Sequence, residues 1–510
     1  MFVRCNASAI VGIDAVRVEV EANVTPGMGM FLVGLPDNAV RESQERIRSA
    51  FVNSDLKMPG KKIVVNLAPA DLKKEGSALD LPIAIAILAG SEQISDTLLG
   101  QFVIMGELSL DGSVKSIKGA LPMAAMAREA GFKGIILPAD NASEAAVVDG
   151  LAVYGVKNLR EATALLSGLL PEPARPAEGC EQGAGTAYDE DFADVKGQSQ
   201  AKRAMEVAAA GGHNILMIGA PGSGKTMLAR RMPTILPPLS LEEALETTKI
   251  HSVAGKADCK GGLIVNRPFR SPHHMASPVS LVGGGTSPQP GEISLAHNGI
   301  LFLDELPEFG RSVLEVLRQP MEEKKVVVSR AKYSVEYPAN FTLVAAMNPC
   351  PCGFYNHPTK DCVCTQGEVF RYLNRISGPM LDRIDLQIEV TPVAFEEISD
   401  SRPAESSASI RERVVAARER QRQRFSHIEG VYTNAMMNSA MIKEFCPLDE
   451  QCTALLGRAM ERLNLSARAY DRIIKVARTI ADLSGEEQIA PTHIAEAIGY
   501  RTLDRGNWGR

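Results

Sequence analysis

The sequence lacks the features that mark membrane and secreted proteins. No apolar run approaches the roughly 20 residues that cross a bilayer, and the first residues lack the charged segment and apolar core of a secretory signal. Nine cysteines among 510 residues do not suggest a disulfide scaffold. We therefore expect a cytoplasmic protein that does not contact a membrane.

Charge of one sign is not in large excess either, since the net charge is −6. This small acidic excess does not exclude nucleic acid as a partner, because a ring or channel can concentrate basic groups locally. Hydrophobic residues make up 45% of the chain, which predicts a soluble protein with well-formed cores. A length of 510 residues suits two or three domains.

Composition divides the chain into four regions. Residues 1–168 alternate β-rich runs with Ala-rich helical stretches. Residues 169–191 are rich in Pro, Gly and acidic residues and can bury little apolar surface, so we predict a linker. Residues 192–391 alternate strands and helices, whereas residues 392–510 have helical apolar spacing almost throughout.

A phosphate-binding loop follows a short apolar run at 214–218, which we predict to be a buried parallel strand. Glycines in such a loop let backbone N–H groups surround phosphates, and the following helix adds positive potential. Lys225 is predicted to reach the β- and γ-phosphates of ATP, and Thr226 to supply its hydroxyl to Mg²⁺. The loop consists of Gly219, Ala220, Pro221, Gly222, Ser223, Gly224, Lys225 and Thr226.

A second apolar run, at 299–303, ends in the paired carboxylates Asp304 and Glu305. An apolar strand that ends in paired carboxylates is typical of the Walker B motif of nucleotide-binding sites. Asp304 is predicted to hold Mg²⁺ through water, and Glu305 to polarise the attacking water. The alternative is a strand that ends in two solvated acids.

Two further polar residues lie next to predicted strands: Asn348 follows one strand, and Arg383 precedes another. Asn348 ends a third apolar run and could orient water against the γ-phosphate, or it could simply form a turn before Pro349. Arg383 could act on the γ-phosphate of a neighbouring subunit, as an arginine finger does. The alternative for Arg383 is a local ion pair with Asp382 or Asp385.

The helical C-terminal region contributes one more candidate. Ser466 is a plausible N-cap of a helix, and Arg468 in its first turn is our candidate for a second arginine that senses nucleotide. Arg472 lies one turn later on the same face and is the competing candidate.

Four cysteines lie close together in the insertion at 350–364. Four thiolates suit tetrahedral Zn²⁺, although the Cys-x-Cys spacing is tighter than usual. His357 lies between the two pairs and could replace one thiolate. The alternative is a turn-rich insertion with reduced, unliganded cysteines. The two pairs are Cys350 with Cys352 and Cys362 with Cys364.

Several of these motifs are specific to one family. Together they resemble the magnesium-chelatase-like branch of AAA+ proteins, and the N-terminal third resembles the Lon-protease C-terminal fold. The combination, with the cysteines, is identified as the ComM/YifB family over essentially the whole chain. The motifs lie at 195–198, 219–226, 299–305, 317–322, 348–353 and 381–385.

The resemblance implies a homo-hexameric ring that uses ATP and Mg²⁺ to move along DNA. Such a ring would promote branch migration of recombination intermediates during natural transformation, with recombination proteins as further partners. The resemblance also implies that a hairpin at 326–337 faces the ring channel, which makes Arg330 and Lys332 candidates for phosphate contact. The alternative is a solvated turn. A second insertion contains His273 and His274, which we expect to shape a turn.

The N-terminal region departs from Lon proteases at the catalytic positions. Lon resemblance implies a serine activated by a lysine, but Ala78 falls at the serine position and Leu121 at the lysine position. A slip of one residue would restore Ser77, and Lys118 is nearby. We expect a non-proteolytic scaffold.

The predicted fold is α/β: a P-loop NTPase core of the AAA+ class with a helical lid, preceded by an α+β Lon-protease-like domain similar to domain 2 of ribosomal protein S5. We expect an ATPase that drives movement on DNA. Three alternatives remain: a chelatase-like motor subunit that remodels a protein partner, an ATP-dependent Lon-like protease, and an ATP-switched assembly scaffold.

Overall fold

The structure is a computed structural model. It describes residues 1–74, 76–176, 188–256, 262–285, 288–330, 333–357, 359–393, 397, 404–463 and 465–501, and for Arg330 and Tyr333 it describes the backbone only.

The N-terminal part of the chain forms a seven-stranded mixed sheet covered by helices. The predicted β-rich runs are confirmed as strands, and the helix Asp80–Gly90 is buried along its whole length, as its Ala, Ile and Leu content favours. In spatial order the strands are Met30–Val33, Lys62–Ala68, Asp14–Thr25, Phe2–Val11, Phe102–Ile104, Gly134–Pro138 and Ala152–Val156. The helices are Asn38–Asn53, Asp80–Gly90, Ala120–Glu129, Ala142–Ala145 and Leu159–Leu166, with 3₁₀ turns at Leu99–Gln101 and Ala139–Asn141 and a small ribbon of Glu107–Leu108 with Val114–Lys115.

The following part of the chain forms a five-stranded sheet in which all neighbouring strands are parallel. The predicted α/β class with buried parallel strands is therefore confirmed. The strand that leads into the phosphate-binding loop lies inside the sheet, paired on both sides. In spatial order the strands are Phe269–Arg270, Ile300–Leu303, Thr342–Met347, Ile215–Ile218 and Leu386–Glu389.

Helices cover this parallel sheet and continue into the C-terminal region. Ser466 caps the long helix Ala467–Ser484, because its side chain accepts from the backbone of Ala469 at 3.2 Å, as predicted. Near the sheet the helices are Ser199–Gly211, Lys225–Ile235, Leu241–Val253, Pro278–Val282, Glu292–Leu295, Arg311–Val316, Arg318–Glu323, Gln366–Leu373 and Gly378–Leu381, with 3₁₀ turns at Phe192–Asp194 and Leu306–Glu308. In the C-terminal region they are Ser407–Arg424, Ser439–Phe445, Glu450–Leu463, Ala467–Ser484 and Pro491–Gly499, with a 3₁₀ turn at Asn434–Met436.

One hydrophobic core joins the C-terminal helices to the parallel sheet. Val344 of the sheet, Val414 of the first long C-terminal helix and Ile473 of the second belong to the same buried cluster. Movement of these helices therefore acts directly on the elements that carry the phosphate-binding loop.

Two antiparallel ribbons accompany the parallel sheet. The predicted hairpin is confirmed: Lys325–Arg330 pairs with Tyr333–Pro338, and Arg330 lies opposite Tyr333 at its end. Lys332 lies outside the described residues. A smaller ribbon joins Gly283–Gly284 to Gln289–Pro290.

The N-terminal unit packs on the region of the parallel sheet through the helix Leu241–Val253. The Gly119 N–H donates to the Ser252 carbonyl at 3.2 Å, and the Lys249 ammonium lies 2.9 Å from the Asp14 carboxylate. At Gly12, a Cβ atom would lie 3.3 Å from the side chain of Val335 in the hairpin. The N-terminal unit thus contacts the hairpin directly.

The predicted linker has no regular structure over residues 171–176, and residues 177–187 lie outside the described residues. The division of the chain after residues 168, 191 and 391 stays a prediction. Within the described ranges, the structure contains no helix that is both long enough and apolar enough to cross a membrane.

Ser77, the candidate nucleophile of the Lon-like region, does not meet a lysine among the described residues. Its hydroxyl donates to the Glu107 carboxylate. Lys74 is fully buried, where burial lowers its pKa, and its ammonium donates to the Pro69 carbonyl. The stem of Lys118 packs against Gly255.

Leu121, at the position that the resemblance gives to the lysine, is buried in the apolar core. An alkyl side chain cannot lower the pKa of a serine hydroxyl or accept its proton. This placement supports the expected loss of proteolysis.

We predict that the protein does not hydrolyse casein or peptides, with or without ATP, because Ala78 has no hydroxyl and Ser77 contacts Glu107 rather than a lysine among the described residues. Fluorescent casein and peptide assays measure this directly. Hydrolysis that disappears in Ser77→Ala would show that the serine is functional after all.

Candidate nucleotide site

The phosphate-binding loop connects the strand Ile215–Ile218 to the helix Lys225–Ile235. Gly224 has φ +91, a conformation that side chains with a Cβ rarely adopt. At Gly219 a Cβ atom would lie 2.3 Å from the Val390 carbonyl oxygen, so only glycine fits. The sequence therefore folds into a tight loop whose backbone N–H groups can face phosphate.

Lys225 is buried beneath this loop. Its ammonium donates to the carbonyls of Gly219 at 2.6 Å and Ala220 at 3.0 Å, and to the side-chain oxygen of Asn348 at 3.3 Å. Burial lowers its pKa, while Asp304 and Glu305 act in the opposite direction. Phosphate oxygens are acceptors of the same kind and carry charge, so they can replace these carbonyls around the ammonium.

Thr226 and Asp304 meet at the edge of the sheet. The Thr226 hydroxyl donates to the Asp304 carboxylate at 2.8 Å, and the Glu305 N–H donates to the other Asp304 oxygen at 3.0 Å. Hydroxyl and carboxylate oxygens beside phosphate are the donor set that Mg²⁺ prefers. The residues present therefore fit Mg²⁺, which when bound would neutralise charge that develops on the phosphates.

Glu305 is held in an unusual conformation beside His274. Its φ is +52, which is strained for a residue with a side chain, and such strain clusters at functional sites. The Nδ1 atom of His274 lies 3.4 Å from the Glu305 carboxylate. His274 lies in the predicted turn, but its contact with Glu305 was not predicted, because no local pattern joins an insertion to a distant strand end.

Asn348 follows the strand Thr342–Met347, which pairs in parallel with the strand before the loop. Met347 lies opposite Ile218, so Asn348 and Gly219 leave the sheet side by side. This register explains the contact between Asn348 and Lys225 at the carboxyl end of the strands.

Gln198 also contacts the loop, although we did not predict a site role for it. Its amide donates to the Ser223 carbonyl at 2.6 Å and to the Thr391 carbonyl at 3.4 Å. Gln198 therefore braces the loop against the end of the edge strand. Only its membership of the motif at 195–198 hinted at this contact.

Within the part of the chain that the structure describes, Arg383 does not contact the other candidate residues. The predicted alternative of a local pair with Asp382 or Asp385 is wrong: its guanidinium lies 2.7 Å from the Glu322 carboxylate and donates to the Pro379 carbonyl at 2.7 Å. Asp385 is unavailable to Arg383 because it is buried against the C-terminal region.

Arg472, the competitor of Arg468, forms an ion pair with Asp385. Burial alone would raise the pKa of Asp385, but Arg472 and His213 beside it hold that pKa far below its usual range. This pair ties the helix Ala467–Ser484 to the parallel sheet. Arg468 is exposed and has no hydrogen bond or ion pair to the described part of the chain, so of the two it is the arginine available to a ligand.

The four insertion cysteines come together. Their sulfur atoms all lie within 4.8 Å of one another, and Sγ of Cys350 is 3.3 Å from that of Cys352 and 3.7 Å from that of Cys362. Sulfurs around tetrahedral Zn²⁺ are roughly 3.8 Å apart, given Zn–S bonds of about 2.3 Å. The residues present therefore fit a zinc ion. The full set is Cys350, Cys352, Cys362 and Cys364.

His357 does not join this cluster. Its Nδ1 atom accepts from the backbone N–H groups of Thr359 and Lys360, each at 3.1 Å, so it caps a turn of the insertion. The alternative in which His357 replaces a thiolate is therefore wrong. The insertion that carries the cysteines also contacts the phosphate-binding loop. A Cβ atom added at Gly353 would lie 2.5 Å from the Pro221 ring.

We predict that Lys225→Ala abolishes ATP binding, because the phosphates lose their buried counter-charge. Glu305→Gln should still bind ATP but hydrolyse it at least about a hundredfold more slowly, because the attacking water is no longer activated. Fluorescent-nucleotide titration and steady-state turnover measure the two effects. Arg230→Ala is the matched control, since Arg230 is exposed on the same helix as Lys225. Equal affinity in Lys225→Ala and wild type, or rapid turnover by Glu305→Gln, would contradict these roles.

Three family profiles match the chain. The profile described as "Magnesium chelatase, subunit ChlI" matches residues 191–398, "Subunit ChlI of Mg-chelatase" matches residues 20–141, and "Magnesium chelatase, subunit ChlI C-terminal" matches residues 404–501. The profile over residues 191–398 thus covers the phosphate-binding loop, Asp304, Glu305, Asn348 and Arg383, and the C-terminal profile covers Arg468.

Two relatives match this chain over nearly its whole length, and a third matches part of it. "Uncharacterized protein YifB" of Escherichia coli is 46% identical over 98% of this chain and 96% of its own length. "Competence protein ComM" of Haemophilus influenzae is 45% identical over 98% of this chain and 97% of its own length. The "Magnesium-chelatase 38 kDa subunit" of Cereibacter sphaeroides is 27% identical over 31% of this chain and 52% of its own length. The chain therefore belongs to the ComM/YifB family of magnesium-chelatase-like AAA+ proteins.

Proposed function

We propose that the protein is a Mg²⁺-dependent ATPase that assembles as a homo-hexamer and moves along DNA, and that this movement drives branch migration in homologous recombination during natural transformation. The observation that carries the ATPase part is the contact of Lys225 with Asn348 and of Thr226 with Asp304 at one sheet edge. These are the groups that bind phosphate and Mg²⁺ in P-loop enzymes.

Hydrolysis needs a base near the attacking water and positive charge on the γ-phosphate. Glu305 supplies the base, and its partner His274 orients the carboxylate before nucleotide binds. Lys225 supplies one positive charge from the same subunit. Arg468, exposed at the start of its helix, supplies a second when the helical region closes over the nucleotide.

The position of Arg383 supports the proposed ring. Within one chain it contacts Glu322 and Pro379 rather than the phosphate-binding loop. An arginine finger supplied by a neighbour is worth roughly 10³–10⁵ in rate in well-studied cases. Each site is then completed by the next subunit, which favours a closed ring in which hydrolysis requires assembly.

DNA is the substrate that the hairpin and the relatives favour. The hairpin Lys325–Arg330 with Tyr333–Pro338 lies in the chain between the strand that leads to Asp304 and the strand that leads to Asn348. One relative bears the name "Competence protein ComM", and the competence in that name supports natural transformation as the process. We assign phosphate contacts to Arg330 and Lys332 near the hairpin tip and recombination proteins as further partners.

Zn²⁺ held by the four insertion cysteines would be structural. A four-thiolate centre leaves no open position for chemistry, and it would fold a short loop that has little core of its own. Since Gly353 of this loop packs on Pro221, the centre also supports the phosphate-binding loop.

We predict that branched or duplex DNA stimulates ATP hydrolysis and that the Arg330→Ala/Lys332→Ala double variant loses this stimulation while its basal rate stays the same. Loss of two phosphate contacts should also reduce the slope of log K against log salt by about two. Fluorescence anisotropy at several salt concentrations and coupled ATPase assays measure both effects. Lys325→Ala, at the base of the hairpin and paired with Glu336 at 2.9 Å, is the control. A wild type that DNA does not stimulate would contradict the motor and favour a chelatase-like role on a protein partner.

We predict about one Zn²⁺ per chain in protein purified without chelator, because four thiolates complete one tetrahedral site. The Cys350→Ser/Cys352→Ser double variant should lose the metal. Elemental analysis by mass spectrometry measures the content, and Cys446→Ser, a buried thiol outside the cluster, should retain the metal. A wild type without zinc would contradict the assignment.

A further inference from the structure

The Arg383 side chain packs against its own subunit. Its side chain is only 11% exposed, and its terminal nitrogens are engaged by the Glu322 carboxylate and the Pro379 carbonyl, both at 2.7 Å. A guanidinium that completes a neighbour's site must present these same nitrogens to the γ-phosphate. The arrangement in the single chain is therefore a retained state of the finger.

In this retained position, one hydrogen-bond donor of the Arg383 side chain has no partner among the described residues. The Nε atom of Arg383 is buried and has no hydrogen-bond partner among the described residues. A buried donor without a partner is costly, which makes the retained position easier to leave. Glu322, in contrast, is 56% exposed, and an ion pair with so much solvent contact is weak. The finger is thus held by a contact that a small displacement can break.

Glu322 is joined directly to the hairpin. The helix Arg318–Glu323 ends one residue before the strand Lys325–Arg330, and Lys324 between them has φ +58. The Lys324 N–H donates to the Pro320 carbonyl at 3.0 Å, while its own carbonyl accepts from Ala339 at 2.8 Å. The end of the helix and both strands at the hairpin base are therefore held together, so a displaced hairpin displaces Glu322.

We propose that Glu322 is a positioning residue that retains Arg383 away from the neighbouring site until the hairpin engages DNA. This inference rests on the proposed function. DNA that pulls on the hairpin moves the end of the helix, separates Glu322 from Arg383 and frees the guanidinium for the next subunit's γ-phosphate. DNA stimulation of hydrolysis is then release of the finger, and the basal rate measures the fraction of fingers released without DNA.

The test compares full-length wild type with Glu322→Gln in ATP turnover without DNA and at saturating duplex DNA. We expect the variant to raise the DNA-free kcat about two- to fivefold, the factor expected for loss of one partly exposed ion pair. Its DNA-saturated kcat and its KM for ATP should equal those of wild type, so the stimulation ratio falls by the same factor.

Two further variants separate retention from a general structural effect. Glu323→Gln changes the adjacent acid, which accepts from Gln319 at 2.8 Å on the same helix, and should behave as wild type. In the Arg383→Ala background, Glu322→Gln should have no effect on the rate, because no finger remains to be released.

A DNA-free rate of Glu322→Gln at or below that of wild type would overturn the inference, as would an increase that persists in the Arg383→Ala background. A wild type that DNA does not stimulate would instead contradict the proposed function. The two failures are distinguishable, because the DNA-free comparison of Glu322→Gln with wild type involves no DNA.

Discussion

Parallel pairing in the five-stranded sheet is the constraint on which the nucleotide site depends. Parallel strands all end at the same edge, so residues far apart in sequence come together when each follows its strand. Lys225, Asp304 and Asn348 meet in this way, after strands that are neighbours in the sheet. A shift of one residue in any pairing would turn the site residues away from one another.

The strand Thr342–Met347 connects three functional features. The hairpin lies immediately before it, and Asn348 and the cysteine insertion lie immediately after it. This strand lies between the strands that lead to Lys225 and Asp304, so all three features are connected to the centre of the nucleotide site. The N-terminal unit reaches the same system through Gly12, which touches Val335 of the hairpin. The N-terminal unit therefore lies against the element to which we assign the DNA contacts.

The sequence alone was sufficient for those features whose signals are local. An apolar run, a glycine-rich loop and a helix are consecutive, so the loop around Lys225 and the strand before Asp304 were predicted. Contacts between segments that are distant in sequence were not predicted. The alternative to a finger role for Arg383 was a pair with a neighbour in sequence, whereas its partner in the structure is Glu322. The contact of His274 with Glu305 likewise joins two separate segments. No periodicity or motif encodes such pairs, because they depend on how insertions fold over the sheet.

The central claim is that each ATP site of a DNA motor is completed by the next subunit. Mixing Arg383→Ala subunits with Lys225→Ala subunits tests it most directly, with branch migration of a mobile four-way junction as the measurement. Each variant alone should be inactive. The mixture should recover part of the activity, because some interfaces pair an intact Lys225 site with an intact Arg383. A mixture as inactive as its components, despite assembly into mixed rings, would contradict the account.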